Sequence, residues 1–117
     1  MLENRYFKIW DYSVSHRVII LRSEMQMDDV DYDLNYIENC TIDLEFSDVF
    51  YLELFSDFTL ISIKAKFLDD GLKQFILTHE QGVLYITAGN CILGKSNWVT
   101  ESRLTNFELS YDLKVVI

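Results

Sequence analysis

Asp29 begins a run of oxygen-bearing side chains at alternate positions that ends at Asn35, and this spacing opens an EF-hand calcium loop. The rest of that loop is missing. Leu34 stands where the sharp turn needs glycine, and Cys40 stands where the bidentate glutamate belongs. We therefore expect no EF-hand, and we predict no metal or cofactor for the chain.

The chain's two cysteines and two histidines, Cys40, Cys91, His16 and His79, equal the number of ligands in a zinc site. None of them forms the closely spaced Cys or His pairs of structural zinc sites, so we expect no zinc. Two cysteines are also too few for the disulfide framework of a small secreted domain. We expect both thiols to be reduced and partly buried.

Asp11, Ser13, Ser15 and His16 contain the residue types of a hydrolytic triad. In a strand the first three would share one face while His16 would point away, so we expect no nucleophile and base pair. Glycine-rich phosphate loops are also absent, since each of the four glycines is explained by a turn. The sequence therefore predicts no catalytic residues and a non-enzymatic function.

Charge is distributed unevenly along this chain of net charge −9. Eleven acidic residues and no lysine or arginine lie between Arg22 and Lys64, whereas outside that window ten basic residues meet the remaining eight acidic ones (19 − 11). Such asymmetry is typical of a partner-binding segment. Its field repels phosphate, which excludes nucleic acid, and attracts a basic protein surface. A purely solubilising face is the alternative.

Tyrosines interleave with these carboxylates, and tyrosine suits protein interfaces because it offers contact area at a low cost in conformational entropy. Ordinary packing at the rim of the core is the alternative for them. We predict a protein-binding surface in this window for a partner with a basic surface, such as a toxin. Its residues are Asp28, Asp29, Asp31, Tyr32, Asp33, Tyr36, Asp43, Glu45, Tyr51 and Glu53.

The elements that must position these residues are strands. Apolar and polar residues alternate over 107–117, 42–46 and 50–54, which predicts three half-buried strands. The run Val18–Leu21 is apolar on both faces and rich in β-branched residues, so it predicts a central strand. The segment 98–104 is ambiguous between a strand and a short helix, and we favour a strand.

Turn residues predict a three-stranded meander. A three-residue loop at 69–71, with Gly71 in the left-handed position, pairs Ala65 with Phe75, Ile63 with Leu77 and Lys66 with Gln74. A second three-residue loop at 80–82 pairs Leu77 with Tyr85 and Ile76 with Ile86. Gly89-Asn90 then predicts a tight turn into another strand.

These elements predict one all-β antiparallel domain over 1–117, with about eight strands in a barrel or sandwich and one long acidic loop at 23–39. The N-terminus lacks the apolar stretch of a signal peptide, and no segment is long and apolar enough to span a membrane. We expect a cytoplasmic protein that does not bind membranes.

The segment Trp10-Asp11-Tyr12-Ser13-Val14-Ser15-His16, the apolar run that follows it, and the acidic-apolar stretch 41–54 resemble segments of small, uncharacterised β-rich bacterial proteins. Some of those proteins resemble immunity proteins of bacterial toxin systems, which are small, often acidic, and inhibit a toxin by binding it. The resemblance implies a small bacterial binding protein.

Three hypotheses follow. The first is a protein-binding module with an acidic face, and an inhibitor of the immunity type is its more specific form. The second is an assembly subunit, because proline-free strand edges can pair between copies into homo-oligomers. The third is an enzyme or small-ligand barrel in which Trp10, Trp98 and Tyr85 line a cavity.

Overall fold

The computed structural model describes residues 5–23, 30–31, 36–37, 40–53, 55–97, 111 and 113–117. Within these residues the chain is all-β, as predicted, and contains no helix. The strands are β1 (Arg5–Ser13), β2 (Val18–Ser23), β3 (Val30–Asp31), β4 (Tyr36–Ile37), β5 (Cys40–Leu52), β6 (Asp57–Phe67), β7 (Lys73–His79), β8 (Gly82–Asn97) and β9 (Leu113–Val116).

Six of these strands close into an antiparallel barrel. The sheet runs in the order β5-β2-β1-β6-β7-β8, and β8 pairs back onto β5. The first part of β8 pairs with β7, while residues 92–95 pair with β9 along the same side. The architecture is therefore a barrel, one of the two predicted alternatives, because the β5–β8 pairing leaves no gap in the six-stranded sheet.

β2 is a central strand, which confirms the prediction from its apolar run. It pairs with β1 on one side and with β5 on the other. Ile19 and Leu21 point into the core, and Ile20, on the opposite face, is also fully buried. Phe46 and Phe75 meet edge to face in the interior, with ring centroids 5.3 Å apart. Side chains fill this small barrel, as is usual for few strands.

The hairpin between β6 and β7 has the predicted register. Ala65 lies opposite Phe75 and Ile63 opposite Leu77, while Lys66 and Gln74 pair on the other face. The amide of Leu68 donates to the carbonyl of Leu72 across a three-residue loop. Gly71 has φ +78°, which glycine adopts without steric cost.

The hairpin between β7 and β8 differs from the prediction by one residue. Its loop contains only Glu80 and Gln81, because Gly82 already pairs with His79. Leu77 therefore lies opposite Leu84, and Ile76 lies opposite Tyr85. The one-residue shift matters, because it turns Tyr85 to the outer face and leaves Leu84 for the core.

Two predicted strand breaks are absent. Segments 42–46 and 50–54 belong largely to one strand, β5, and β8 continues through Gly89-Asn90 without a turn. The irregularity is a β-bulge instead: Asp48 has φ +52°, and the register shifts near Val49. A β-carbon on Gly89 would lie 3.0 Å from that of Asp48, so glycine provides the space that the bulge needs.

Other predictions are tested only in part. Of the predicted strand 107–117, β9 accounts for 113–116, and residues 107–110 and 112 lie outside the described residues, as do residues 98–104. The predicted acidic loop contains a small hairpin, in which Val30 pairs with Ile37 and Asp31 with Tyr36. In the described part of the chain, no helix has the length and apolarity needed to cross a membrane.

Candidate binding surface at one end of the barrel

Asp43 is buried, which corrects its predicted place on an acidic surface. Its carboxylate accepts from Arg22 through Nε to Oδ1 at 2.7 Å and through Nη2 to Oδ2 at 2.9 Å. Both side chains are 1% exposed. The two residues are direct cross-strand neighbours on β2 and β5. A paired, buried carboxylate presents no charge to a partner, so Asp43 is part of the framework.

A second carboxylate belongs to the same network. The hydroxyl of Tyr111 lies 3.1 Å from Oδ2 of Asp43 and 3.0 Å from Oε2 of Glu45, so it can donate to either. Glu45 is half-buried. On the other side of Arg22, the Trp10 ring centroid lies 4.5 Å from Cζ of the guanidinium. The network therefore extends across the outer surface of the barrel from β1 to β5.

The remaining predicted site residues fall into two groups. Asp28, Asp29, Tyr32 and Asp33 lie outside the described residues. Asp31 and Tyr36 are described only as members of the small β3–β4 hairpin. The prediction that they bind a partner stays a prediction.

Tyr51 and Glu53 are exposed at the end of β5, and hydrogen bonds join this segment to the neighbouring strands. The amide of Glu53 donates to the carbonyl of Tyr85 at 3.0 Å, and the amide of Tyr85 donates to Oε1 of Glu53 at 3.3 Å. The amide of Val49 donates to the carbonyl of Arg17 in the β1–β2 turn at 2.9 Å. The β1–β2 turn, the β5–β6 connection and the β7–β8 turn thus lie at the same end of the barrel.

Seven of the fourteen large apolar side chains that are exposed among the described residues lie at this end. Val14 and Phe50 are each 73% exposed. These side chains do not belong to the apolar core. We call this surface the aromatic end and define it by Tyr12, Val14, Phe50, Tyr51, Phe55, Val83 and Tyr85.

Tyr85 and Trp10 were predicted, in one alternative, to line an interior cavity. Tyr85 instead lies on the outer face of β8, and Trp10 packs over Arg22 outside the barrel. Trp98 lies outside the described residues. The interior is filled by the apolar core, so Tyr85 and Trp10 do not form an internal ligand site.

A cavity of about 240 Å³ opens beside the aromatic end. It lies between the start of β6 and the β7–β8 turn, and both carboxylates and rings line it. Its lining residues are Tyr6, Phe55, Ser56, Asp57, Phe58, His79, Glu80 and Gln81.

His79 is the buried polar residue of this cavity, at 4% exposure. Its Nδ1 accepts the amide proton of Gln81 at 3.3 Å, which in a neutral ring leaves the proton on Nε2. Nε2 is buried and has no hydrogen-bond partner among the described residues. The rings of Phe55 and Phe58 hold the imidazole, with centroids 5.2 and 5.8 Å away.

The phenol of Tyr6 hydrogen-bonds to Asp57 at the rim of the cavity. This hydrogen bond is the main cause that raises the pKa of Tyr6, and desolvation adds to it. Ionisation would remove the donated proton and place two negative charges together. The pair therefore fixes a neutral phenol and an acceptor carboxylate side by side.

Ser13, Ser15 and His16 come together, contrary to the expectation from strand geometry. β1 ends at Ser13, and in the turn that follows Nδ1 of His16 lies 3.0 Å from the Ser13 hydroxyl and 3.1 Å from that of Ser15. All this lies in an exposed turn, where the amide of His16 also donates to the Ser13 oxygen. This is the hydrogen bonding of a serine-stabilised turn.

Metal binding has no support in the described residues, where no group of three or more His, Cys, Asp or Glu side chains is arranged to hold an ion. Cys91 is a buried free thiol in the core. No known protein family, curated protein or solved structure matches the chain.

Sequence reasoning missed most of the aromatic end. Phe50, Val14 and Phe55 are ordinary apolar residues in the sequence, and only barrel closure shows that they stay outside. A signal was available for Val14, since it stands between two serines next to a histidine, in a polar setting typical of a turn.

Proposed function

We propose that this protein is a non-catalytic protein-binding module that uses the aromatic end to bind a partner with a basic surface. The observation that carries the proposal is that half of the large apolar side chains exposed among the described residues lie there, Val14 and Phe50 among them. Large exposed apolar patches with a polar rim mark sites of protein interaction. Tyrosine and phenylalanine are also enriched at such interfaces.

Charge supports a basic partner. Asp48, Glu53, Asp57 and Glu80 are exposed on the segments that build this end. The whole chain carries −9, so its field attracts cations over distances beyond contact. We expect the apolar side chains to supply the buried centre of the interface and the carboxylates to supply its rim and its rate of encounter.

An inhibitor of the immunity type is the more specific form of this proposal. The resemblance of the opening segment to such bacterial proteins supports it, since that segment includes Tyr12 and Val14 of the aromatic end. In this form, a rigid barrel end covers the active site of a basic toxin in the cytoplasm.

The test uses a double variant, Val14→Ser with Phe50→Ser, which changes only exposed side chains. Val116→Ser is the matched control, because Val116 is 61% exposed on β9, outside the aromatic end. Proteins retained from a lysate of the source cells by the wild-type protein and the control, but not by the double variant, are identified by mass spectrometry. Each is then purified and titrated by calorimetry at two salt concentrations.

We expect a basic protein whose affinity falls at least tenfold with the double variant and also falls with added salt. Equal affinities of wild-type protein and double variant for every retained protein would refute the proposal. Light scattering over a range of concentrations covers the alternative of self-assembly. A dimer that the double variant abolishes would replace the foreign partner by a second copy of this chain.

A further inference from the structure

We infer that the cavity beside the aromatic end is a binding site for an arginine side chain of the partner. This inference rests on the proposed function, because it names the chemistry that the same surface recognises. It depends on the carboxylates at the cavity, on its aromatic rings and on the unpartnered nitrogen of His79.

The cavity combines negative charge with aromatic rings. Asp57 and Glu80 are exposed carboxylates of its lining, and Tyr6 and Phe55 are partly exposed rings of the same lining. Carboxylates attract a cation, and a cation over an aromatic face gains further attraction. An anionic ligand would meet two like charges here, so the lining selects a cation.

Asp57 favours a guanidinium among cations. One of its acceptor sites is used by the Tyr6 hydroxyl, and a carboxylate has about four lone-pair sites in all. A guanidinium donates in a planar fork that matches a carboxylate and stacks on rings such as that of Tyr6, whereas an ammonium is a compact, strongly hydrated point charge. The rings and carboxylates of this cavity fit the guanidinium better.

His79 adds a requirement for a hydrogen-bond acceptor. Its Nε2 proton is buried without a partner among the described residues, which is an unfavourable state for a polar group. Phe55, half-exposed, packs edge-on against the imidazole. An arginine residue that displaces this ring can place its main-chain carbonyl oxygen at Nε2 while its guanidinium reaches the carboxylates.

The first experiment titrates the purified protein with N-acetyl-arginine-amide and follows the amide and side-chain signals by NMR. We expect saturable shifts confined to the cavity lining, with a dissociation constant of about 1 mM, as for small ligands of this size. N-acetyl-citrulline-amide, which has nearly the same shape without the charge, should bind at least tenfold more weakly. Equal binding of both probes would overturn the inference.

The second experiment isolates the role of His79. Methylguanidinium carries the cation but no carbonyl group, so it should shift the carboxylate signals of Asp57 without moving the 15N signal of His79 Nε2. N-acetyl-arginine-amide should move both signals. An Nε2 signal that is unmoved by the amide probe would contradict the carbonyl contact.

A pair of variants distinguishes this inference from the proposed function. Asp57→Asn with Glu80→Gln removes the two cavity charges and should weaken N-acetyl-arginine-amide at least tenfold. The control Asp69→Asn with Asp70→Asn removes two exposed charges from the β6–β7 loop and should leave its affinity unchanged. If the cavity variant binds the partner protein as the wild type does, while the Val14 and Phe50 variant does not, the arginine site is refuted and the proposed function stands.

Discussion

The ring of Tyr111 occupies the space that a β-carbon on Gly94 would need. Gly94 lies opposite Asp43 in the β5–β8 ladder, so the bare backbone at this position lets the ring approach the sheet. The tyrosine hydroxyl thereby reaches both Asp43 and Glu45. One glycine in β8 thus allows the polar network on the outer face of the barrel to close.

Gly94→Ala should therefore destabilise the protein. The added methyl group collides with the Tyr111 ring, and we expect a loss of about 1–3 kcal/mol in the free energy of unfolding. Tyr111→Phe keeps the ring and removes only the hydroxyl, so it should cost about 1 kcal/mol. Urea denaturation measures both values. A Gly94→Ala protein as stable as the wild type would show that the ring is not held there.

Asp43→Asn should be more damaging, because it removes the charged carboxylate that accepts two short hydrogen bonds from the buried guanidinium of Arg22. Breaking one partner of a buried ion pair costs about 3–5 kcal/mol. Replacing both partners with apolar residues, Arg22→Met with Asp43→Leu, should recover much of this loss. Asp70→Asn in the exposed β6–β7 turn is the control and should change stability by less than about 0.5 kcal/mol.

Denaturant unfolding of the wild type and the three variants measures these differences in the free energy of unfolding. If Asp43→Asn were as mild as Asp70→Asn, the ion pair would contribute nothing that the neutral amide cannot replace, and the network would not be part of the framework.

The sequence predicted the fold class and one complete hairpin register. Around Gly71, the residue types of the loop and the pairing of apolar side chains favour the same register, so the local sequence is sufficient to predict it. At the β7–β8 turn two registers both pair apolar residues, and the choice depends on which side chain, Leu84 or Tyr85, fits the closed core. That information is tertiary and is not available to a local pattern.

The candidate site was predictable only in part, for the same reason. Asp43 pairs with Arg22, which lies 21 residues away in the sequence. A count of charges along the chain does not detect this pair, so it wrongly assigns Asp43 to a window of carboxylates without basic partners. A single arginine at the end of the apolar β2 run was the available hint, since a buried guanidinium requires a carboxylate. Tyr51 and Glu53 were predicted as surface residues of the binding site, and both are exposed. Which residues lie beside them depends on how the barrel closes, and the local sequence does not contain that information.

Cys91 should be unreactive in the folded protein. Burial raises the pKa of its thiol well above the ordinary range, so the nucleophilic thiolate is scarce at neutral pH. We expect iodoacetamide to label Cys91 at pH 8 only after denaturant is added, as mass spectrometry can show at this residue. Rapid labelling of Cys91 in the native protein would contradict its burial.

The raised pKa of Cys91 also makes the free energy of unfolding depend on pH. The unfolded thiol ionises near its ordinary pKa, about 8.5, while the folded thiol stays protonated. The contribution of the buried, protonated thiol to the free energy of unfolding is therefore fully present below about pH 8.5 and declines above it. Comparison of Cys91→Ala with the wild type removes the effects of other groups, so the difference in unfolding free energy between the two proteins should shrink between about pH 8 and 10.

Asp57→Asn should lower the pKa of Tyr6. The amide can still accept a hydrogen bond, but it carries no charge, so ionisation of the phenol no longer places two negative groups together. In the wild-type protein the pKa of Tyr6 lies above its ordinary value of 10.0, and in the variant this pKa should fall back towards the ordinary value. NMR titration of the assigned Tyr6 ring signals measures this, with Asp70→Asn as the control that leaves Tyr6 unchanged.

Because the pair lies at the rim of the cavity, saturation with N-acetyl-arginine-amide should lower the Tyr6 pKa in the wild-type protein as well, since a guanidinium beside Asp57 offsets the charge that opposes ionisation. A Tyr6 titration that is identical in wild-type protein and Asp57→Asn would show that the two groups do not interact in solution.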